Sequence, residues 1–136
     1  MMDKNSADLE RYQLQLQNFD KALGRLEEVL LMNESEVVRD SIIQRFEFTF
    51  EMAWKLMFRY LSMKGESMAA KAWDVLPVAF ESKLIADADV WTRLREYRND
   101  TSHEYDQGKA VEVAAFVRHA GLPAFQRLRE QMKGRQ

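Results

Sequence analysis

Cysteine is absent from the sequence, so disulfides, thiolate metal sites and thiol nucleophiles are all excluded. With 2 Pro and 5 Gly in 136 residues there is too little turn chemistry for a meander of short strands, and only 3 Ile are present to favour one. No apolar run approaches the roughly 18 residues of a membrane span, and the opening MMDKNSADLE lacks the apolar stretch of a signal peptide. The expectation is a cytoplasmic chain with no membrane association. Neither sign of charge dominates. The 20 Lys and Arg stand against 22 Asp and Glu, and this net charge of -2 argues against a general polyanion binder while leaving room for a local basic patch. What is abundant is 14 Leu, 14 Ala and 8 Met, a composition that favours helices. A chain of this size buries about two thirds of its unfolded surface without help from a metal, so one domain over residues 1–136 is expected.

The spacing of apolar residues gives the helices. Leu9, Tyr12, Leu16, Phe19, Leu23, Leu26 and Leu30 recur at alternating intervals of three and four, which predicts one long helix over about 8–32. Asn33 can end it and Ser35 can cap the next. That second helix, to about Lys64, carries the same seam in Ile43, Phe46, Phe50, Ala53, Met57 and Tyr60 and should pack lengthwise on the first. A second apolar side, Phe48, Met52 and Leu56, suits a subunit interface, and the row Glu47, Glu51, Lys55 and Arg59 suits ion pairs four residues apart. Gly65 ends the helix. Ser67 can cap a third through about Leu84, bent or divided by Pro77. The acidic run Ala86-Asp87-Ala88-Asp89 precedes a fourth helix, with Val90, Trp91, Leu94 and Tyr97 on its apolar face, reaching about Ser102. Asp106-Gln107-Gly108 restarts the chain into a fifth helix to about Lys133, kinked at Gly121 and Pro123. The fold class is thus all-α, an antiparallel bundle of about five helices.

Chemistry has few places to sit. The two histidines are the side chains whose ordinary pKa lies nearest neutrality. His119, mid-helix beside Ala120 and Gly121, reads as structural or solvated. His103 belongs to the polar run Arg98-Asn99-Asp100-Thr101-Ser102-His103-Glu104-Tyr105 at the joint between two helices, where scaffolds commonly carry catalytic groups. On an unbroken helix Arg98 and His103 would lie about 140° apart around the axis and ~7.5 Å apart along it, so they share a target only if the helix ends between them. With an end near Ser102, the guanidinium can hold a phosphate and the imidazole can move a proton from the turn. Arg95, one turn earlier, adds positive charge. The same spacing also suits a surface Arg paired with Glu96 or Glu104 and a His closing a helix C-terminus. A di-metal carboxylate bundle calls for two Glu-x-x-His pairs, and the chain has only Asp100-x-x-His103, so no metal and no cofactor are expected.

The run from Arg98 to Tyr105 resembles the R-x4-H-x-Y motif of HEPN-domain proteins, in the branch encoded beside minimal nucleotidyltransferases. The segment from Arg45 to Lys55, RFEFTFEMAWK, is similar to that branch's own signature, as are Ala79-Phe80, Leu84-Ile85, Asp87 and Trp91 ahead of Arg98. The likeness runs from about Tyr12 to the last helix, and its specific part is the Arg-Asn-x-x-Ser-His-x-Tyr-Asp core; Pro77 departs from a continuous third helix. The resemblance implies a homodimeric HEPN-like bundle with the Arg/His motifs of two subunits lining one cleft. It implies either a toxin of a toxin–antitoxin module, a metal-independent ribonuclease acting on RNA, or a non-catalytic substrate-binding subunit of the neighbouring transferase. In the first case His103 is the proton-transfer group and Arg98 the phosphate clamp, with Arg95, Asn99 and Ser102 in support. Tyr105 is then the residue that the partner nucleotidyltransferase, as antitoxin, adenylylates to silence the toxin.

Overall fold

The first two helices, α1 (Lys4–Leu30) and α2 (Glu36–Met63), pack along their length in the computed structural model, which describes residues 4–135. The expected 1–136 domain and the opening of MMDKNSADLE thus extend onto residues outside the described ones. The register is antiparallel: the Tyr12 and Tyr60 rings lie 6.0 Å apart, the Thr49 hydroxyl donates to the Ala22 carbonyl at 3.2 Å, and Arg45 donates to the Arg25 carbonyl at 2.7 Å. Both seams face the core as the spacing predicts, except that Leu9 lies opposite the end of α2 and is exposed. Ser35 caps α2 by accepting from the Val38 amide at 3.1 Å. At the other end Gly65 takes φ 92, and the amides of Gly65 and Glu66 close onto the carbonyls of Ser62 and Leu61.

Four further helices and a π-helical turn follow among the described residues: α3 (Ala72–Glu81), α4 (Ala88–Thr101), α5 (Gln107–Phe116), the turn Val117–Gly121, and α6 (Leu122–Lys133). α4 runs antiparallel to α2, and α6 antiparallel to α1, tied by Arg129 to Glu27 at 3.1 Å and by the Tyr12 hydroxyl to the Met132 carbonyl. Fully buried Phe19, Phe46, Phe50, Trp91 and Phe125 form the centre, with Trp91 and Phe125 edge to face at 5.4 Å. Among the described residues no helix is long and apolar enough to cross a membrane.

The kink expected near Gly121 and Pro123 is the π-helical turn. Pro123 brings no amide to the ladder, and the Leu122 amide reaches five residues back to the Val117 carbonyl. A Cβ at Gly121 would stand 3.0 Å from Leu94, so the small residue lets this turn lie close on α4.

Several sequence expectations are corrected. The third helix starts at Ala72, not near Ser67, because the chain from Glu66 to Lys71 is spent as an irregular crossing in which Met68 packs on the core. It ends at Glu81, where Lys83 adopts φ 65 and the Leu84 amide closes onto the Ala79 carbonyl. Pro77 lies exposed inside α3 without dividing it. Leu56 is fully buried and does not belong to the outer side of α2, which keeps an exposed Phe48 and a half-buried Met52. Asp87 occupies the cap position of α4, but its carboxylate is taken by Arg127. The row Glu47, Glu51, Lys55 and Arg59 makes no internal ion pairs among the described residues: both glutamates face a cation from α4, and Lys55 lies over the Trp54 ring.

Candidate functional site

That cation is Arg98, in the last turn of α4, where the helix dipole favours positive charge. Its Nη1 lies 3.3 Å from Glu47 Oε2 and its Nε 3.5 Å from Glu51 Oε1. The second contact is an ion pair without hydrogen-bond geometry, so the buried Nε–H has no acceptor among the described residues. Thr101, buried one turn on, donates to Glu47 Oε2 at 2.8 Å, so a single carboxylate oxygen gathers two groups of α4.

α4 ends between Arg98 and His103, as their shared use of one target requires. Ser102 is the C-cap, its hydroxyl donating to the Asn99 carbonyl at 2.6 Å and its amide to the Arg98 carbonyl at 3.2 Å. His103 lies just beyond, exposed, and its imidazole has no hydrogen-bond or ion-pair partner among the described residues. Glu104 and Tyr105 continue the joint until Asp106 caps α5 by accepting from the Lys109 amide at 2.8 Å. Arg98 is thus fixed on a rigid helix while His103 stands on a short connection anchored at both ends.

Tyr105 is half-buried and packs against the core. Burial pushes its phenol pKa above the ordinary value, and the carboxylates of Asp40 and Glu47 push the same way. Glu47 therefore acts on both Arg98 and Tyr105. Arg95 and Asn99 lie elsewhere: the Arg95 guanidinium lies 3.5 Å above the Trp73 ring, and both residues line a recess against α3 with Trp73 and Glu96.

Arg98, Ser102, His103 and Tyr105 thus follow one another through the α4–α5 joint, Glu47 and Glu51 meet it at Arg98 and Thr101, and the charges of Asp40 and Glu47 are felt at Tyr105. The sequence signal for Glu47 and Glu51 was their four-residue spacing on one face of α2. It places both on a neighbour's path without naming the neighbour. A site of this composition can bind and orient an anion at Arg98 only by competing with two carboxylates, and can pass a proton through the free imidazole.

Residues 14–134 match the model of a family described as nucleotidyltransferase substrate binding protein like. The chain belongs to that family, the HEPN branch paired with nucleotidyltransferases. A relative from Haemophilus influenzae, named probable ribonuclease HepT, is 36% identical over 92 residues, which cover 62% of this chain and 63% of the relative. The chain thus matches somewhat less than two thirds of that relative's length. A crystal structure of a Thermus thermophilus protein superposes with a TM-score of 0.69 at 36% identity, covering 86% of this chain and 97% of that one.

Proposed function

We propose that this protein is a metal-independent endoribonuclease, the toxin of a toxin–antitoxin module whose antitoxin is a minimal nucleotidyltransferase, acting in the cytoplasm as a homodimer of one HEPN-like domain spanning residues 1–136. The observation that carries it is Arg98, held on the last turn of α4 by Glu47 and Glu51 and followed past the helix end by an exposed imidazole with no partner among the described residues. The similarity to a relative named a ribonuclease supports the same reading.

RNA brings its own nucleophile. His103 takes the proton of the 2'-hydroxyl, the 2'-oxygen attacks the adjacent phosphorus, and the P–O5' bond breaks. The leaving 5'-oxygen receives a proton from a second acid, for which the partner copy's equivalent imidazole is available in a shared cleft. Products are a 2',3'-cyclic phosphate and a 5'-hydroxyl. Arg98 stabilises the charge that builds on the phosphate oxygens, Ser102 closes the helix end beside it, and Arg95 and Asn99, on the α3 side of α4, flank the cleft in a supporting role. Neither metal nor cofactor enters the step. Tyr105 is the adenylylation acceptor, and an AMP phosphate there would occupy Arg98 and block the cleft.

A second reading is favoured by a specific observation: Glu47 and Glu51 already neutralise Arg98, which suits a binding subunit for the transferase better than a nuclease. The test is RNA cleavage by purified protein without its partner. The ribonuclease reading expects cleavage in EDTA and a loss of ~10²-fold or more in both Arg98→Ala and His103→Ala, with unchanged circular dichroism. Wild-type protein that leaves RNA intact hands the site to the binding-subunit reading.

A further inference from the structure

The side of α4 that faces α3 carries a second feature. Trp73, Pro77 and Phe80 of α3 and Arg95 and Trp91 of α4 border an open groove of about 350 Å³. Its rim is costly: Trp73 is 67% and Phe80 47% exposed, two turns apart on α3. Single exposed apolar residues need no explanation, but two large aromatics on the rim of one groove mark a binding surface. Arg95 is the decisive neighbour. Its guanidinium lies flat on the Trp73 indole at 3.5 Å and makes no ion pair and no hydrogen bond among the described residues, so all its donors remain available. Trp91 backs the groove from the core, and Asn99 adds an amide at the neighbouring recess.

We infer that this groove binds a nucleobase, that of an unpaired nucleotide flanking the scissile phosphate at Arg98. The inference rests on the ribonuclease reading and deepens it. Aromatic faces and an arginine plane are the surfaces on which single-stranded bases stack, and a guanidinium with free donors meets the phosphate of the same nucleotide. Arg95 and Arg98 stand three residues apart on one helix, about 4.5 Å along its axis and ~60° around it, Arg95 turned to α3 and Arg98 to α2, so a strand that crosses α4 meets both cations. An apolar contact with a second copy fits less well, because it would cover the Arg95 donors without offering them an anion.

The probe is a fluorescein-labelled, 2'-O-methylated single-stranded RNA, which binds but cannot be cleaved because its nucleophile is capped. Trp73→Ala should weaken its binding about 10-fold, as loss of one base stack requires, and Trp73→Phe should restore most of it. Arg95→Ala should weaken binding and flatten the dependence on salt by about one charge. With cleavable RNA, Trp73→Ala should raise KM and leave kcat within about twofold, whereas His103→Ala should lose cleavage and keep binding. Equal affinity of wild type and Trp73→Ala, with His103→Ala still inactive, overturns the subsite and leaves the ribonuclease reading standing. A wild type that neither binds nor cleaves RNA overturns both. Quenching of Trp73 emission by AMP or ATP but not by the oligonucleotide assigns the groove to a free nucleotide and overturns its place on the strand. Conversion of the oligomer to monomer by Trp73→Ala, seen by light scattering, makes the groove a subunit contact and likewise overturns it.

Discussion

Glu47 is the residue on which the candidate site turns. Its Oε2 takes Arg98 and the Thr101 hydroxyl at once, and its charge reaches Tyr105 together with that of Asp40. Burial and these two carboxylates raise the Tyr105 pKa, so the hydroxyl stays protonated through neutral pH. The folded state therefore holds this proton more tightly than the unfolded chain. That contribution is complete below the ordinary tyrosine value of about 10 and is lost as pH rises through the elevated one. We expect the ultraviolet difference titration between wild type and Tyr105→Phe to show phenolate forming above the free-tyrosine range, and Glu47→Gln to move it back down. If Glu47→Gln leaves the titration in place, Glu47 does not act on this hydroxyl. On the proposed function, AMP transfer to Tyr105 starts from a neutral phenol and needs a proton acceptor. Incubation with the transferase and ATP should then add the mass of an AMP moiety, or multiples, to wild type and none to Tyr105→Phe.

At the scale of helices, α1 and α6 are held by Arg129, which pairs with Glu27 at 3.1 Å and Asp20 at 3.5 Å. The hydrogen bond from Arg129 holds the Glu27 carboxyl below its ordinary value against the opposing effect of burial. Stability from this pair is present above the unfolded carboxylate pKa and fades as pH falls through the depressed one. Arg129→Ala should cost about 1–2 kcal/mol at pH 7 in urea denaturation, with the gap to wild type narrowing at pH 3. A gap independent of pH would mean that the loss is packing alone. The end of α3 offers a second test. Lys83 holds φ 65, a conformation that favours glycine, so Lys83→Gly should stabilise the fold by about 1 kcal/mol and raise Tm by a few degrees. Helix ends also measure what a sequence can disclose. Ser35, Gly65 and Asp106 announce their caps by residue type, and each is found where its chemistry expects. Lys83 carries no such signal, and Ser67, a good cap by type, goes unused because the chain must first cross the bundle. The same division holds at the site. Arg98, His103 and Tyr105 are legible because the motif is local, lying within eight residues. The Arg98–Glu47 pair is not, since 51 residues separate its members and only tertiary packing chooses Arg98 over Lys55 as the partner of the row.

At the scale of the whole molecule, the exposed side of α2 and the candidate site are neighbours. Phe48 is 56% exposed and follows Glu47 directly, while Met52 follows Glu51, so the apolar residues and the carboxylates that face Arg98 alternate along the same two turns. A second copy docked on Phe48 and Met52 would cover this apolar strip and bring its own Arg98 and His103 to the same place. The proposed cleavage needs both a base and an acid, and each chain has one histidine in the motif. Dimerisation is then a condition of activity rather than an accessory to it. Phe48→Arg, on a half-exposed position away from the core, should leave the fold intact and yield a monomer by light scattering at micromolar concentration. The same variant should lose RNA cleavage by ~10²-fold or more while its Tyr105 titration stays as in wild type. Dilution of wild type should lower specific activity as dimers dissociate, and mixing inactive His103→Ala with inactive Phe48→Arg should not restore it. A wild type that is monomeric and fully active at micromolar concentration would dispose of the shared cleft, and His103 would then have to serve as base and acid in turn within one chain.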